Sequence, residues 1–224
     1  RRFEEASKQI YAANAPTWDN RWRLVMLVAE LATKDRERLR RAFYWQGFGE
    51  INANCFIHPS ADLTAAFDAL RVDGMSDVLP SLMPLVAMNP RLGQSANDAD
   101  MVHSAWDLAQ LSESYTEFVK TYKGILEALR KAKKSSIDDE SAFLTRTLLI
   151  HDFRRLLLRD PELPDVLLPA KWPGQTARML TKELYQRLLV PSERHLNQHL
   201  LLANGDAPPA SDLVLRRFEC DLVS

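Results

Sequence analysis

The chain has 224 residues, 46% of them apolar and 26% charged, which is ordinary for a water-soluble protein of one large or two small domains. No apolar run approaches the roughly 18 to 20 residues that span a bilayer, and the first residues, Arg1-Arg2-Phe3-Glu4-Glu5, lack a secretory apolar core. Two cysteines, Cys55 and Cys220, are too few for a disulfide framework or zinc site, so a cytoplasmic location is expected. The net charge of −1 lacks the basic excess of a free-standing nucleic-acid binder, whose affinity comes largely from neutralising phosphates.

In chain order, residues 4 to 13 read as a short helix ending before Pro16. The run from Trp22 to Val28 is bulky, apolar and short, which predicts a buried strand. Thr33 is placed to cap a helix from Lys34 to Gln46, apolar at Leu39, Ala42 and Phe43, with Gly47 ending it in a left-handed conformation. Phe48 to Ile51 and Cys55 to His58 form a hairpin around Asn52-Ala53-Asn54. An amphipathic helix from Ala61 to Val72 follows, with Leu63, Ala66, Phe67 and Leu70 on one face, and Asp73-Gly74 stops it. Val78 to Met88 carries Pro80 and Pro84 and therefore reads as an edge strand.

This order, βαββαβ, is that of a ferredoxin-like domain over residues 18–92. The polar stretch 89–104 marks a boundary. The remainder reads as all-helical over 100–205, giving an α+β chain. One segment runs from about Ala105 to Lys131, weakened at Gly124, and another begins at Asp138-Asp139-Glu140 and continues to Leu158. A third covers Gln175 to Ala203, broken in two by Pro191. Residues 1–17 read as a helical linker, and 206–224 as a linker through Pro208-Pro209 with a terminal strand at Leu213-Val214-Leu215.

The stretch His151–Gly174, HDFRRLLLRDPELPDVLLPAKWPG, combines two devices. His151, Arg154 and Arg155 stand at i, i+3 and i+4 and so share a helical face. Pro161, Pro164, Pro169 and Pro173 then make a stiff connector lined with leucines and Trp172. A basic face beside a rigid apolar corner suits an anionic ligand with an apolar end. The same spacing also describes a solvated helix end paired to Asp152 and Asp160.

The pattern HxxRRxxLRDPxLPxxLLPxxWPG resembles the C-terminal domain of the PaaX family, bacterial repressors of phenylacetic acid catabolism. Trp18-Asp19-Asn20-Arg21-Trp22 followed by LVMLV resembles the opening of that family's central domain, and Trp45-Gln46-Gly47-Phe48-Gly49 its "WxGFG" helix end. Trp106, Tyr115 and Phe118, then Thr176-Ala177-Arg178 and Tyr185-Gln186-Arg187, fit the helical segments. The resemblance covers roughly residues 1 to 200. It implies a repressor released by phenylacetyl-CoA or a similar acyl-CoA, and a homodimer paired through the ferredoxin-like domain. The family's N-terminal winged helix-turn-helix is not in this sequence, and Arg1–Tyr11 resembles the segment that leaves it. Operator DNA would be read through that domain.

On this reading the effector residues are His151, Arg154, Arg155, Trp172, Trp106 and Tyr122, because arginine holds phosphate through its planar fork and the aromatics could wall an acyl group or adenine. Arg36, Arg40 and Arg41, on a basic helix, are candidate phosphate contacts. Neither a metal nor another cofactor is expected: His195 and His199 stand at i and i+4, but no acid or cysteine is spaced to complete a site. No GxSxG elbow, phosphate-cradling loop, HExxH or CxxC occurs. A metal-dependent nuclease on the ferredoxin-like domain is the rival reading, with Glu30 as its sole acidic candidate, and a purely structural dimerisation module is the third.

Overall fold

The computed structural model describes residues 17–131 and 137–200. The N-terminal helix and the terminal strand expected from sequence lie outside these residues. The described residues divide into two compact units, one holding residues 17–109 with 159–170 and the other residues 110–131, 137–158 and 171–200.

In the sheet unit the strands are β1 (Trp22–Leu27), β2 (Gly49–Asn52), β3 (Cys55–His58) and β4 (Leu82–Ala87). They form an antiparallel sheet in the order β2-β3-β1-β4, with β4 at an edge, which is the ferredoxin-like arrangement expected. Helices α1 (Thr33–Tyr44) and α2 (Leu63–Val72) connect β1 to β2 and β3 to β4. Alternation along β1 decides what each face meets. Val25 and Leu27, with Phe56 of β3, pack against Leu39, Ala42 and Phe43 of α1 and Ala66 and Leu70 of α2.

Trp22 and Leu24, with Ile57, belong to a second core on the other face. Its cover comes from α3 (Asp98–Ala105), which lies in the stretch read from sequence as a boundary, and from residues 159–170, through Val102, Leu163 and Leu167. A full capping box explains α3: Asn97 accepts from Ala99 and Asp100 backbone N–H groups while Asp100 accepts from the Asn97 N–H. Asp62 caps α2 through its side chain alone, accepting from the Thr64 and Ala65 N–H groups. For α1 the expected cap is corrected. Ala32 holds the capping position without a side-chain bond, and Thr33 is the first helical residue.

The helical unit is built from α4 (Leu108–Lys131), α5 (Asp139–Leu157) and α6 (Gly174–His199). Leu111, Tyr115, Phe118, Tyr122 and Leu126 recur at helical spacing along α4 and meet Leu149, Phe153 and Leu157 of α5 and Leu180, Leu184 and Leu188 of α6 in one core. Asp138 starts α5 by accepting from the Ser141 N–H at 2.8 Å. Gly124 does not interrupt α4, and Pro191 does not divide α6, which runs unbroken through it. Proline removes one backbone bond and crowds the carbonyl four residues back. Here buried packing of Pro191 and Ser192, with the Glu193–Arg146 ion pair to α5, holds the turn in place.

Candidate functional site

The buried stripe of α5, Leu149, Phe153, Leu156 and Leu157, faces the core of the helical unit. The helical period therefore turns His151 and Arg155 outward, where both are exposed, while Arg154 is half-buried and already engaged. Arg154 and Arg155 lie in the last turn of α5, where cations complement the helix dipole. Asp152, a candidate partner for them, instead accepts a hydrogen bond from the Tyr122 hydroxyl at 2.8 Å. Burial, then that bond and the negative charge of Asp152, push the Tyr122 phenol far above its ordinary range, so it is fixed as a donor. Trp172 is half-buried and meets Tyr115 edge-on at 5.8 Å.

His151, Arg154, Arg155, Tyr122 and Trp172 thus share the helical unit. Trp106 belongs to the sheet unit, where it stacks on Trp22 at 6.5 Å and donates its indole N–H to the Gly47 carbonyl at 3.0 Å. Arg36, Arg40 and Arg41 also lie there, on α1. Arg36 is half-buried, Arg40 pairs with Glu50 at 2.7 Å, and Arg41 is exposed.

The proline corner packs in the sheet unit, and His58 explains how it is anchored. Its Nδ1 accepts from the Ser60 and Ala61 backbone N–H groups at 3.0 and 2.8 Å, so Nε2 carries the proton and donates to the Pro161 carbonyl at 3.2 Å. Burial, aided by the Arg23 charge and opposed by the Pro161 bond, lowers this imidazole from 6.5 to about 4. His58 is therefore a neutral core histidine. At the corner Glu162 adopts a left-handed backbone (φ 53°), its N–H held by Asp160 Oδ1 at 2.8 Å.

Two polar arrangements join members distant in the chain, and of these the sequence signalled only the histidine pair. Arg146 of α5 and Glu193 of α6 form an ion pair at 2.6 Å that is largely withdrawn from solvent, with the guanidinium 5.6 Å from the Tyr185 ring centre. A cavity of about 420 Å³ lined by Asp138, Asp139, Glu140, Arg194, His195 and His199 brings acids to the histidine pair. The imidazoles stand 4.6 Å apart, but Asp139 is engaged by Arg194 at 2.7 Å. Among the described residues no three such groups are placed to hold a metal ion. Glu30 is exposed just beyond β1.

Two family models match, "PaaX protein central Cas2-like domain" over residues 15–82 and "PaaX-like protein C-terminal domain" over residues 106–198. The chain belongs to the PaaX family. It is 30% identical over 213 residues to the transcriptional repressor PaaX of Escherichia coli K12, an alignment covering 95% of this chain and 66% of the repressor. This PaaX-family chain therefore spans just under two thirds of that relative's length. Its fold is also similar to that of the uncharacterized protein Rv0674 from Mycobacterium tuberculosis, with a TM-score of 0.52 at 24% identity, covering 85% of this chain and 70% of the other. Among the described residues no helix is long and apolar enough to cross a membrane.

Proposed function

We propose that this chain is the effector-binding and dimerisation portion of a PaaX-type transcriptional repressor, released from its operator by an aryl-acyl-CoA such as phenylacetyl-CoA. The observation that carries the reading is the alignment with a transcriptional repressor over 95% of the chain. The α5 terminus supports it, because the exposed Arg155, with Arg154 and His151 beside it, offers guanidinium donors suited to the phosphates of a CoA thioester. On this reading operator sequence is read by a winged helix-turn-helix of the kind the family resemblance implies.

On this reading the effector binds one conformation of the repressor better than another and shifts the population toward it. The paired DNA-reading heads then no longer match the operator half-sites. Moving the equilibrium from mostly bound to mostly released needs about 5 kcal/mol of differential affinity. Self-association through the sheet unit is part of the same reading, since β4 is an edge strand.

The test is a thermal-shift titration with phenylacetyl-CoA against free CoA. A thioester at 100 times its dissociation constant adds about 2.7 kcal/mol of stability. Arg154→Ala with Arg155→Ala is expected to reduce that shift while leaving a cooperative melt. An undiminished shift would remove the α5 surface from the binding site, and no shift with any aryl-acyl-CoA would sink the effector reading.

A further inference from the structure

Helix α1 carries Lys34, Arg36, Arg38, Arg40 and Arg41 against Asp35 and Glu37, in a chain whose net charge is −1. The local structure sorts these cations. Arg38 is held by Asp35 at 3.3 Å and Arg40 by Glu50 at 2.7 Å. Arg36 is half-buried, whereas Lys34 and Arg41 are exposed. Arg41 Nε donates to the Glu37 carbonyl of its own helix at 3.3 Å.

Helical spacing puts Lys34, Arg38, Arg41 and Trp45 at i, i+4, i+7 and i+11, on one outward stripe. That stripe ends in two large aromatics on the surface: Tyr44 is 56% exposed and Trp45 52% exposed, held edge-on to each other at 5.7 Å. The inward face of the helix is filled by Leu39, Ala42 and Phe43, so packing does not account for either ring. The first turn, capped by Ala32 without a side-chain bond, adds partial positive charge at the Lys34 end.

We propose that this stripe is a contact surface for the sugar-phosphate backbone of duplex DNA, with Lys34 and Arg41 against phosphates and Trp45 against the sugar edge. The proposal rests on the repressor reading, which puts the chain beside DNA. Charge complementarity selects the occupant: Lys34 and Arg41, both exposed, lie on one line, and the carboxylates of Asp35 and Glu50 are already engaged by Arg38 and Arg40. The seven-residue interval from Lys34 to Arg41 rises about 10 Å, the axial length of about three phosphates on one strand. Two phosphate contacts give weak, sequence-independent binding. They would orient a repressor on DNA whose sequence is read elsewhere.

The experiment is fluorescence anisotropy of a labelled random-sequence duplex with the 224-residue chain, at low salt and without effector. Binding is expected with a log–log salt slope near about −2. Arg41→Glu and Lys34→Glu, each with an unchanged melting temperature, should weaken it at least about tenfold, since each turns an attraction into a repulsion. Trp45→Phe should remove a DNA-dependent quench of tryptophan emission, and Lys123→Glu, exposed on α4, should change neither signal. Absence of duplex binding at low salt, or Arg41→Glu binding as tightly as the parent chain, overturns the proposal. A thioester-induced thermal shift in a chain that binds no duplex would overturn this surface alone and leave the repressor reading standing.

Discussion

Gly47 and Gly49 show what the WQGFG stretch is for. Gly47 has φ +81° and lies where a Cβ would sit 3.2 Å from both His58 Nε2 and the Pro161 carbonyl oxygen. At Gly49 a Cβ would come within 2.6 Å of Trp106 and 2.7 Å of the Ala105 carbonyl oxygen. The motif is a point of close backbone approach, and Trp106 seals it by donating to Gly47. Gly49→Ala is therefore expected to cost about 1 to 3 kcal/mol through overpacking, measured as a lowered urea midpoint. His58 makes a separate prediction. Its folded pKa of about 4 lies below the ordinary 6.5, so between those values the unfolded chain binds more protons and stability falls with falling pH. The loss reaches up to about 3 kcal/mol by pH 4, and His58→Gln should flatten the stability profile in that window. A parent profile flat from pH 7 to 4 would contradict the buried neutral imidazole.

Elements were legible where the signal is local. The order of strands and helices in the sheet unit follows from short apolar runs, from the turn at Asn52–Asn54 and from stops at Gly47 and Asp73-Gly74. The continuity of helix α6 through Pro191 was not legible, because proline reports its local cost and says nothing of the tertiary packing that offsets it. The placement of Trp106 was hidden for the same reason: its partners Gly47 and Trp22 are 59 and 84 positions away. Of the candidate site, the exposure of His151 and Arg155 follows from helical period, whereas the diversion of Asp152 to Tyr122 depends on a residue 30 positions earlier. At β4, an edge strand among the described residues, the exposed Met83 and Val86 flank Pro84. On the reading that this strand joins two copies, Val86→Lys should shift the protein from dimer to monomer in analytical ultracentrifugation, because inserted charge blocks edge pairing. A dimer of unchanged affinity would move the interface elsewhere.

At the scale of the molecule, the chain does not run through one unit and then the other. It passes into the helical unit near Gln110, leaves after Leu158, contributes residues 159–170 to the sheet unit, and returns at Lys171. Sequence order suggested a single boundary, because the proline corner reads as part of the helices it interrupts. Its leucines belong instead with Trp22 and Ile57, more than 100 positions earlier.

This threading has a practical result for anyone dissecting the protein by expression. No single cut yields two intact pieces. A fragment ending at residue 109 leaves Trp22 and Ile57 without Leu163 and Leu167, and His58 without its acceptor. The complementary fragment carries those leucines with nothing to cover them, and both invite aggregation through bared apolar surface. Clean separation would instead take a short graft across 158 and 171, with the excised dodecamer tethered back onto the sheet half.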